Sequence, residues 1–262
     1  MLRATRGAEE LDTLTSAARP PPWKSWEWNT QTITFVISLA VQLAVLIFSL
    51  VTLGMGSPPP VLRIILTLET VVQGVELTWY TGIAIRFLCG YSTGVWARYI
   101  DWTVTCPTML LSFYFLVLYF ANECMTASEL TDTPRFVPYV VVIVLMDWLM
   151  LALGFVYEID LCSLQASAWG RWPLIVGFVP LLLSFLPHFD ALASDPTWEG
   201  YVVVFANLLA WSIYGIVSIV FFGRGGAEAK NSAFNLLDLF SKNAAGLVVS
   251  VVALAFNQNT CV

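Results

Sequence analysis

The sequence predicts an all-α protein folded as a bundle of seven transmembrane helices, and three observations lead to this prediction. Of its 262 residues, 58% are hydrophobic and only 11% are charged. The mean hydropathy of +0.76 is far too high for a soluble domain of this size. Seven apolar runs are each long enough to cross ~30 Å of hydrocarbon at a rise of ~1.5 Å per helical residue.

The seven predicted spans are joined by short polar or turn-rich segments. In order, the spans cover residues 33–54, 61–88, 97–121, 137–157, 172–191, 201–222 and 233–256. In the same order, the segments that end the first six spans are Gly54–Pro60, Gly90–Gly94, Asn122–Arg135, Glu158–Arg171, Asp190–Gly200 and Gly223–Asn231. Glycine, proline and clustered polar residues are typical of such breaks. The short connections predict one domain without a soluble appendage.

That domain is predicted to cover residues 31–258, with short segments on either side. Residues 1–30 mix charges with three consecutive prolines and lack the apolar core of a signal peptide, so they are expected to form a polar tail. Residues 259–262 form a short C-terminal end. The net charge of −6 includes no basic patch for nucleic acid. Five cysteines and the single His188 lack metal-ligand spacing, which argues against a metal site or a disulfide framework.

Ionisable residues inside the spans are the strongest functional signal. The carboxylates are Glu69, Glu76, Asp101, Asp147 and Asp238, and the basic groups in or at the ends of spans are Arg63, Arg86, Arg98 and Lys242. Such groups are costly in hydrocarbon and must face the bundle interior, water or one another. Lys242 follows Asp238 by one helical turn. On the third span, one face carries Arg98, Asp101, Trp102 and Thr105.

Two interpretations of this set remain open from the residues alone. The charged groups can form a structural ion-pair cluster that holds helices together. Alternatively, the Lys242 amine can condense with an aldehyde to form a Schiff base, which when protonated is a buried cation that requires a carboxylate. Trp102, Trp211 and Tyr214 could then wall a long flat ligand, although each could equally serve ordinary helix packing.

Two motifs resemble those of the microbial rhodopsins, seven-helix proteins with retinal on a lysine of the last helix. The third span reads Arg98-Tyr-Ile-Asp-Trp-Thr-Val-Thr-Cys-Pro107, and the seventh reads Leu237-Asp-Leu-Phe-Ser-Lys-Asn-Ala-Ala-Gly246. The resemblance implies a membrane photoreceptor rather than an enzyme, with all-trans retinal as its cofactor. Its implied site is Lys242 as the attachment point, Asp101 and Asp238 as counter-ions, Arg98 on the extracellular side, and Trp102, Thr105, Trp211 and Tyr214 around the polyene. Gly215 replaces the proline that usually follows the tyrosine.

Further residues distinguish a pump from a channel. Proton pumps of the family usually carry a carboxylate two turns beyond Thr105, where this chain has Ser112, and chloride pumps lack an acid at position 101. Three features resemble channelrhodopsins instead: Cys106 with Asp147 as its partner in gating, the Ser241-Lys-Asn243 form of the lysine motif, and the glutamates Glu69 and Glu76 with Gln73 on one face of the second span. Of these last three, the resemblance assigns Glu69 to gating and Gln73 and Glu76 to the ion path. Alternatively, Glu69 is a protonated, hydrogen-bonded acid and Cys106 a packing residue.

The conducted ion is predicted from opposing signals. Glu76 favours cations, because acidic side chains along a path attract them. Against this, the segment before Glu69 lacks the additional acids of cation channels and contains Arg63. Gln42 resembles the constriction glutamine of anion channelrhodopsins, and Thr105-Cys-Pro-Thr-Met-Leu110 is close to their third helix. The sequence therefore predicts a light-gated chloride channel, with a cation channel, a proton pump and a photosensory receptor as alternatives.

Orientation and partners follow from the resemblance rather than from charge. Basic residues in the tail and in the loops on its side would place the N-terminus in the cytosol. The family keeps its N-terminus outside, and four acidic residues offset those of the tail. We therefore expect an integral protein of the plasma membrane with an extracellular N-terminus. Its expected partners are membrane lipid, the conducted ion and further copies of the same chain.

Overall fold

The computed structural model describes residues 30–89, 96–159, 171–221 and 227–256. The described helices are α1 (Thr30–Met55), α2 (Pro60–Leu88), α3 (Trp96–Ala121), α4 (Ala127–Asp132), α5 (Phe136–Glu158), α6 (Trp172–Ser184), α7 (Leu186–Ser194), α8 (Trp198–Val220), α9 (Ala227–Asp238) and α10 (Ala244–Ala255). A π-helical turn, Leu239–Asn243, joins α9 to α10. The predicted C-terminal end, and the polar tail up to residue 29, lie outside the described residues.

The predicted all-helical, seven-span bundle is confirmed. The spans are α1, α2, α3, α5, α6 with α7, α8, and α9 with the π turn and α10. Six of them are long and apolar enough to cross a membrane. The second span, α2, has the length to cross at 29 residues, but Arg63, Glu69, Glu76 and Arg86 lower its hydropathy. We call the membrane side on which α1 begins the proximal side and the opposite side the distal side.

Two local features were not predicted from the sequence. The fifth span breaks at Phe185 between α6 and α7, where Pro187 near the start of α7 lacks the N–H that a continuous helix requires. The short helix α4 lies in the predicted third connection, where Thr126 and Glu129 cap its start reciprocally. Neither feature changes the number of spans.

The first span is polar on the side that faces the bundle and apolar on the side that faces lipid. The residues of α1 that face the bundle are Thr34, Ser38, Gln42, Val45, Ser49 and Thr52, of which only one is apolar. Its lipid-facing side carries exposed isoleucines and leucines. This arrangement suits a helix in hydrocarbon, where polar side chains must find partners within the protein.

The third span, α3, lies at the centre of the bundle. Within its most apolar stretch 72% of the residues are buried, against 17% for α5 and α8. Neighbouring helices therefore enclose most of α3, whereas Ile100, Thr103 and Val104 are exposed along one side of its first half. This position explains why α3 contributes so many residues to the interior site described below.

The described cysteines and His188 differ in bonding and burial. Cys124 is disulfide-bonded, so the expectation of no disulfide from the odd cysteine count is wrong at this residue, whereas Cys89 and Cys106 are free thiols. His188 is buried, and its Nε2 lies 3.0 Å from the backbone oxygen of Leu110. Within the described ranges, no group of three or more His, Cys, Asp or Glu residues could hold a metal ion.

A charged pair on the proximal side ties the fourth span to the seventh. Lys230 Nζ lies 2.6 Å from both carboxylate oxygens of Glu158, and the two side chains are only 16% and 8% exposed. Hydrogen bonds to charged groups contribute about 1.5–3 kcal/mol each, so we expect Glu158→Gln to lower the free energy of unfolding by about that amount. Thermal denaturation in detergent measures the change.

An exposed pair provides the matched control for this prediction. Arg135 and Asp190 approach to 4.0 Å, and their side chains are 69% and 51% exposed. Arg135→Gln should therefore change stability much less than Glu158→Gln does. Equal destabilisation by Arg135→Gln and Glu158→Gln would show that burial of the Glu158–Lys230 pair adds nothing.

Candidate functional site

Lys242 lies at the centre of a buried charge cluster in the middle of the bundle. Its Nζ donates to Asp101 Oδ2 at 2.7 Å and lies 3.6 Å from Glu76 Oε1 and 3.9 Å from Asp238 Oδ1. All four side chains are at most 2% exposed. The structure thus brings together the two predicted counter-ions and adds Glu76, which sequence analysis placed on the ion path instead.

The backbone around Lys242 departs from α-helical geometry. In the π turn, the Ala244 N–H donates to the Leu239 carbonyl, five residues back. Two side-chain amides donate to main-chain oxygens of this region: Asn243 Nδ2 to Asp238 O at 3.3 Å, and Gln73 Nε2 to Lys242 O at 3.0 Å. Since π turns are rare and concentrate at functional sites, this one marks Lys242 independently of its charge.

Two tyrosines hold Asp238 in place. The Tyr80 hydroxyl donates to Oδ2, and the Tyr214 hydroxyl donates to Oδ1 at 2.6 Å. The Tyr214 oxygen also lies 2.8 Å from Ser241 Oγ. Asp101 is held less completely, because its Oδ1 has no hydrogen-bond partner in the described part of the chain. The two predicted counter-ions therefore differ in their capacity to accept a further hydrogen bond.

Arg98 lies on the proximal side of the cluster. Its guanidinium donates to Asn235 Oδ1 at 3.3 Å. It also stacks over the ring of Phe234 at 4.9 Å and that of Trp102 at 5.7 Å, both within the range of cation–π attraction. The described contacts of the guanidinium are thus an amide and two aromatic faces, and Asn235 is a contact that sequence analysis missed.

A cavity extends from Lys242 between the third, fourth, fifth and sixth spans. Its walls include Trp102, Met109, Phe178, Trp211 and Tyr214, and Lys242 is the only charged side chain among the described residues that line it. Sites for small organic ligands combine apolar and aromatic walls with a few polar anchors in this way. The residues present therefore fit retinal, a long flat aldehyde whose carbonyl end would meet the Lys242 amine.

Gly215, the departure from the family's proline, has a steric reason in this structure. A Cβ atom at this position would lie 2.7 Å from Cζ of Phe178, closer than atoms approach without displacement. Glycine therefore lets the Phe178 ring form part of the cavity wall. A larger residue on the sixth span would require that ring to move.

The predicted gating residues lie in the interior but are not joined. Cys106 lines the cavity, and Asp147 is fully buried. Neither carboxyl oxygen of Asp147 has a hydrogen-bond partner among the described residues. The direct Cys106–Asp147 link that the resemblance implied is thus not formed in this structure. Thr105, which was predicted to lie beside the polyene, donates its hydroxyl proton to the backbone carbonyl of Asp101 at 3.0 Å. This hydrogen bond lies within α3.

The remaining predicted residues lie along the second span and the first. Glu69 is hydrogen-bonded to Ser112 of the third span. Gln42 Nε2 donates to Ser38 Oγ at 3.2 Å within α1. Glu69, Gln73 and Gln42 are all 0% exposed. The structure therefore places them inside the protein, where a path could run, and not at its lipid surface.

Comparisons with known proteins agree on one fold. The sequence profile of the bacteriorhodopsin-like protein family matches residues 29–256. Similar solved structures include the viral rhodopsin OLPVRII (20% identity, TM-score 0.67, 86% of this chain and 97% of that one) and halorhodopsin, a light-driven chloride pump (16%, 0.66, 87% and 97%). Another is the proton-pumping rhodopsin AR2 from the marine alga Acetabularia acetabulum (19%, 0.62, 86% and 95%). No curated protein matches the sequence.

Proposed function

The chain belongs to the bacteriorhodopsin-like family, and on this premise we propose that it is a light-gated ion channel with retinal on Lys242. Proteins of this family bind retinal. When bound as a protonated imine, retinal supplies light absorption and a change of shape. The protein's own contribution is to balance the cation at Lys242, to exclude water from the cavity and to move protons and helices in response.

The cluster around Lys242 suits the first of these tasks. Asp101, at 2.7 Å, is the nearest carboxylate and has one oxygen free. Asp238 already accepts hydrogen bonds from two tyrosines, one at each carboxylate oxygen. We therefore assign proton acceptance to Asp101 and permanent charge balance to Asp238.

A polar seam between the first, second and seventh spans is the observation that carries the channel proposal. The polar seam consists of Thr34, Ser38, Gln42, Ser49 and Thr52 on α1, Gln73 and Glu76 on α2, and Asn235, Asn243 and Ser250 on the seventh span, all buried. Cross-span hydrogen bonds at its two ends join Asn235 to Thr34 at 3.2 Å and Ser49 to Ser250 at 3.0 Å.

The length and composition of the polar seam support conduction. From Thr34 to Thr52, α1 rises ~27 Å, close to the ~30 Å thickness of the hydrocarbon core. Helices in membranes are packed adequately by small residues and a few hydrogen bonds. A polar face that runs along nearly the whole span and is interrupted only at Val45 exceeds what packing needs. A file of hydroxyl and amide groups is what a water-filled ion path requires when the helices separate.

Chloride is the ion we propose, from the resemblance at Gln42 and at Thr105–Leu110. One observation favours a cation as the second candidate. The amide nitrogens of Gln73 and Asn243 donate to backbone oxygens, which can only accept, so the orientation of both amides is fixed by chemistry. Their oxygens, and that of Gln42, have no partner within the described residues, and free oxygens coordinate cations.

The reversal potential of the photocurrent separates these candidates. In whole-cell recordings with asymmetric chloride, we expect the light-induced current to reverse near the chloride equilibrium potential. Reversal that follows sodium, potassium or protons would replace chloride by a cation. A current of one direction at every voltage would indicate a pump and contradict the channel proposal. Absence of current with a slow photocycle would indicate a sensory receptor.

We also propose that the protein lies in the plasma membrane as a homo-oligomer with its N-terminus outside. This orientation makes the proximal side extracellular and the distal side cytoplasmic. It rests on the resemblance, and antibody access to an epitope added at residue 1 in intact cells tests it.

A further inference from the structure

We propose that Glu69 of the second span is the internal acid that returns a proton to the Lys242 nitrogen from the distal side. Pumps that this chain resembles carry such an acid at the position of Ser112, and serine does not release a proton at neutral pH. Here the Ser112 hydroxyl is hydrogen-bonded to the Glu69 carboxyl. The carboxyl is thus present at the same place in the bundle, but it is supplied by α2.

Counting the protons in this contact indicates that Glu69 is neutral. The Ser112 hydroxyl has one proton, and two oxygens lie within its reach: Glu69 Oε1 and the Met109 carbonyl, the latter at 3.0 Å. A backbone carbonyl can only accept. Both contacts are therefore hydrogen bonds at once only if the Glu69 carboxyl is protonated and donates to Ser112. In that state Glu69 holds a proton ready for transfer.

The surroundings of Glu69 favour the same state. It is 0% exposed, its Oε2 has no hydrogen-bond partner, and it forms no ion pair among the described residues. Within that part of the chain, Ser112 is the one side chain that is hydrogen-bonded to it. A carboxylate in such a site would lose its hydration without a compensating cation, which costs several kcal/mol.

Glu69 is too far from Lys242 for direct contact, but it is near enough to serve as a proton donor. Glu69 precedes Glu76 by two turns, ~10 Å along α2, and Glu76 lies 3.6 Å from Lys242. A small apolar cluster consists of the buried residues Val72, Met109 and Phe113. Val72 lies between Glu69 and Glu76 on α2, and Met109 lies one turn before Ser112 on α3. The Glu69–Ser112 pair is therefore insulated from the charge cluster in this closed arrangement.

The proposed step moves one proton from Glu69 towards Lys242. With retinal bound, the imine nitrogen on Lys242 would need a proton after releasing its own to Asp101. Glu69 would supply it by breaking its O–H bond and passing the proton along water molecules that enter between α2 and α3, and its carboxylate would then accept a hydrogen bond from Ser112. Glu69 then takes a proton from water on the distal side. This step rests on the retinal site of the proposed function, but it does not require the channel.

Flash photolysis of the purified, retinal-loaded protein tests the step. With Glu69→Gln, which keeps the hydrogen bond to Ser112, we expect the recovery of the protonated absorption band to slow by about 100-fold at neutral pH. The remaining rate should then rise about tenfold for each unit by which pH falls, because protons come from bulk water. Azide, a small weak acid, should restore much of the rate.

Two further variants keep the proposal falsifiable. Ser112→Ala removes the hydrogen bond and retains the acid. If the contact is merely structural, this variant should slow the recovery as much as Glu69→Gln does, whereas our proposal predicts a much smaller slowing. Glu69→Gln combined with Ser112→Asp returns a carboxyl to the third span and should recover the rate.

The outcomes distinguish this proposal from the proposed function. Unchanged, pH-independent recovery in Glu69→Gln would overturn the proposal. A native protein without a visible pigment would overturn both the proposal and the retinal site. Normal kinetics without current would contradict only the channel.

Discussion

Replacing Lys242 with alanine is expected to abolish visible absorption and every light-dependent current. A covalent bond to an aldehyde requires an amine, and Lys242 supplies the only amine that lines the cavity in the described part of the chain. Absorption spectra after addition of retinal, together with photocurrents in transfected cells, measure both effects. An intact visible band in Lys242→Ala would contradict the entire chromophore assignment.

The controls for this prediction must separate chemistry from folding. Lys242→Ala leaves three buried carboxylates without their cation, and breaking a buried ion pair costs about 3–5 kcal/mol. Lys242→Arg retains a cation opposite Asp101 but cannot form the imine, so it should fold and still lack the visible band. Lys230→Ala makes the same lysine-to-alanine change outside the cavity and should keep the pigment. Loss of pigment in Lys230→Ala would point to instability as the common cause.

The seven-span fold was predictable because the hydropathy of each segment depends only on which residues it contains, and not on how the helices pack. Helix α2 shows where this signal weakens: its four charged residues lower the mean, and its membrane-spanning role follows from its length and from the other six spans. The break at Phe185 was not predictable from hydropathy, because the two halves of the fifth span are both apolar. Proline at position 187 was the available signal.

The candidate site was predictable only where its residues share a helix. Asp238 and Lys242 are one turn apart, and Asp101 lies on a marked face of α3, so their roles could be proposed from spacing. Glu76 could not be assigned to Lys242 in this way, because their proximity depends on how α2 packs against the seventh span. The Glu69–Ser112 contact also crosses two helices. A single sequence contains no signal for such a pairing.

The same limit explains why only part of the polar seam was anticipated. Gln42 was identified by resemblance, and Gln73 and Glu76 by their shared face on α2. The serines and threonines of α1 were not singled out, because hydroxyl residues are common in apolar spans and bond to their own helix. Once α1 is seen to turn four of them inward together with Gln42, the polar face becomes evident.

Narrowing the polar seam at Gly246 is expected to reduce the photocurrent by about tenfold while leaving the visible band in place. A Cβ atom on Gly246 would lie 3.0 Å from Gln73 Nε2 and 3.3 Å from Val45 Cγ1. Side chains of the first and second spans therefore lie directly against the seventh span here, and the only apolar interruption in the buried face of α1, Val45, lies at the same level. An added methyl group in Gly246→Ala fills the space through which an ion would pass.

The matched control is Gly82→Ala on α2, because a Cβ there would meet no atom within 4 Å. It makes the same chemical change in the same bundle and should leave current and absorption unaltered. Photocurrent amplitude divided by the amount of visible pigment measures the effect in both variants and removes differences in expression. Equal currents per pigment in Gly246→Ala and in the native protein would mean that ions do not pass between Gln73, Val45 and Gly246. The conduction path would then have to be sought on another face of the second span.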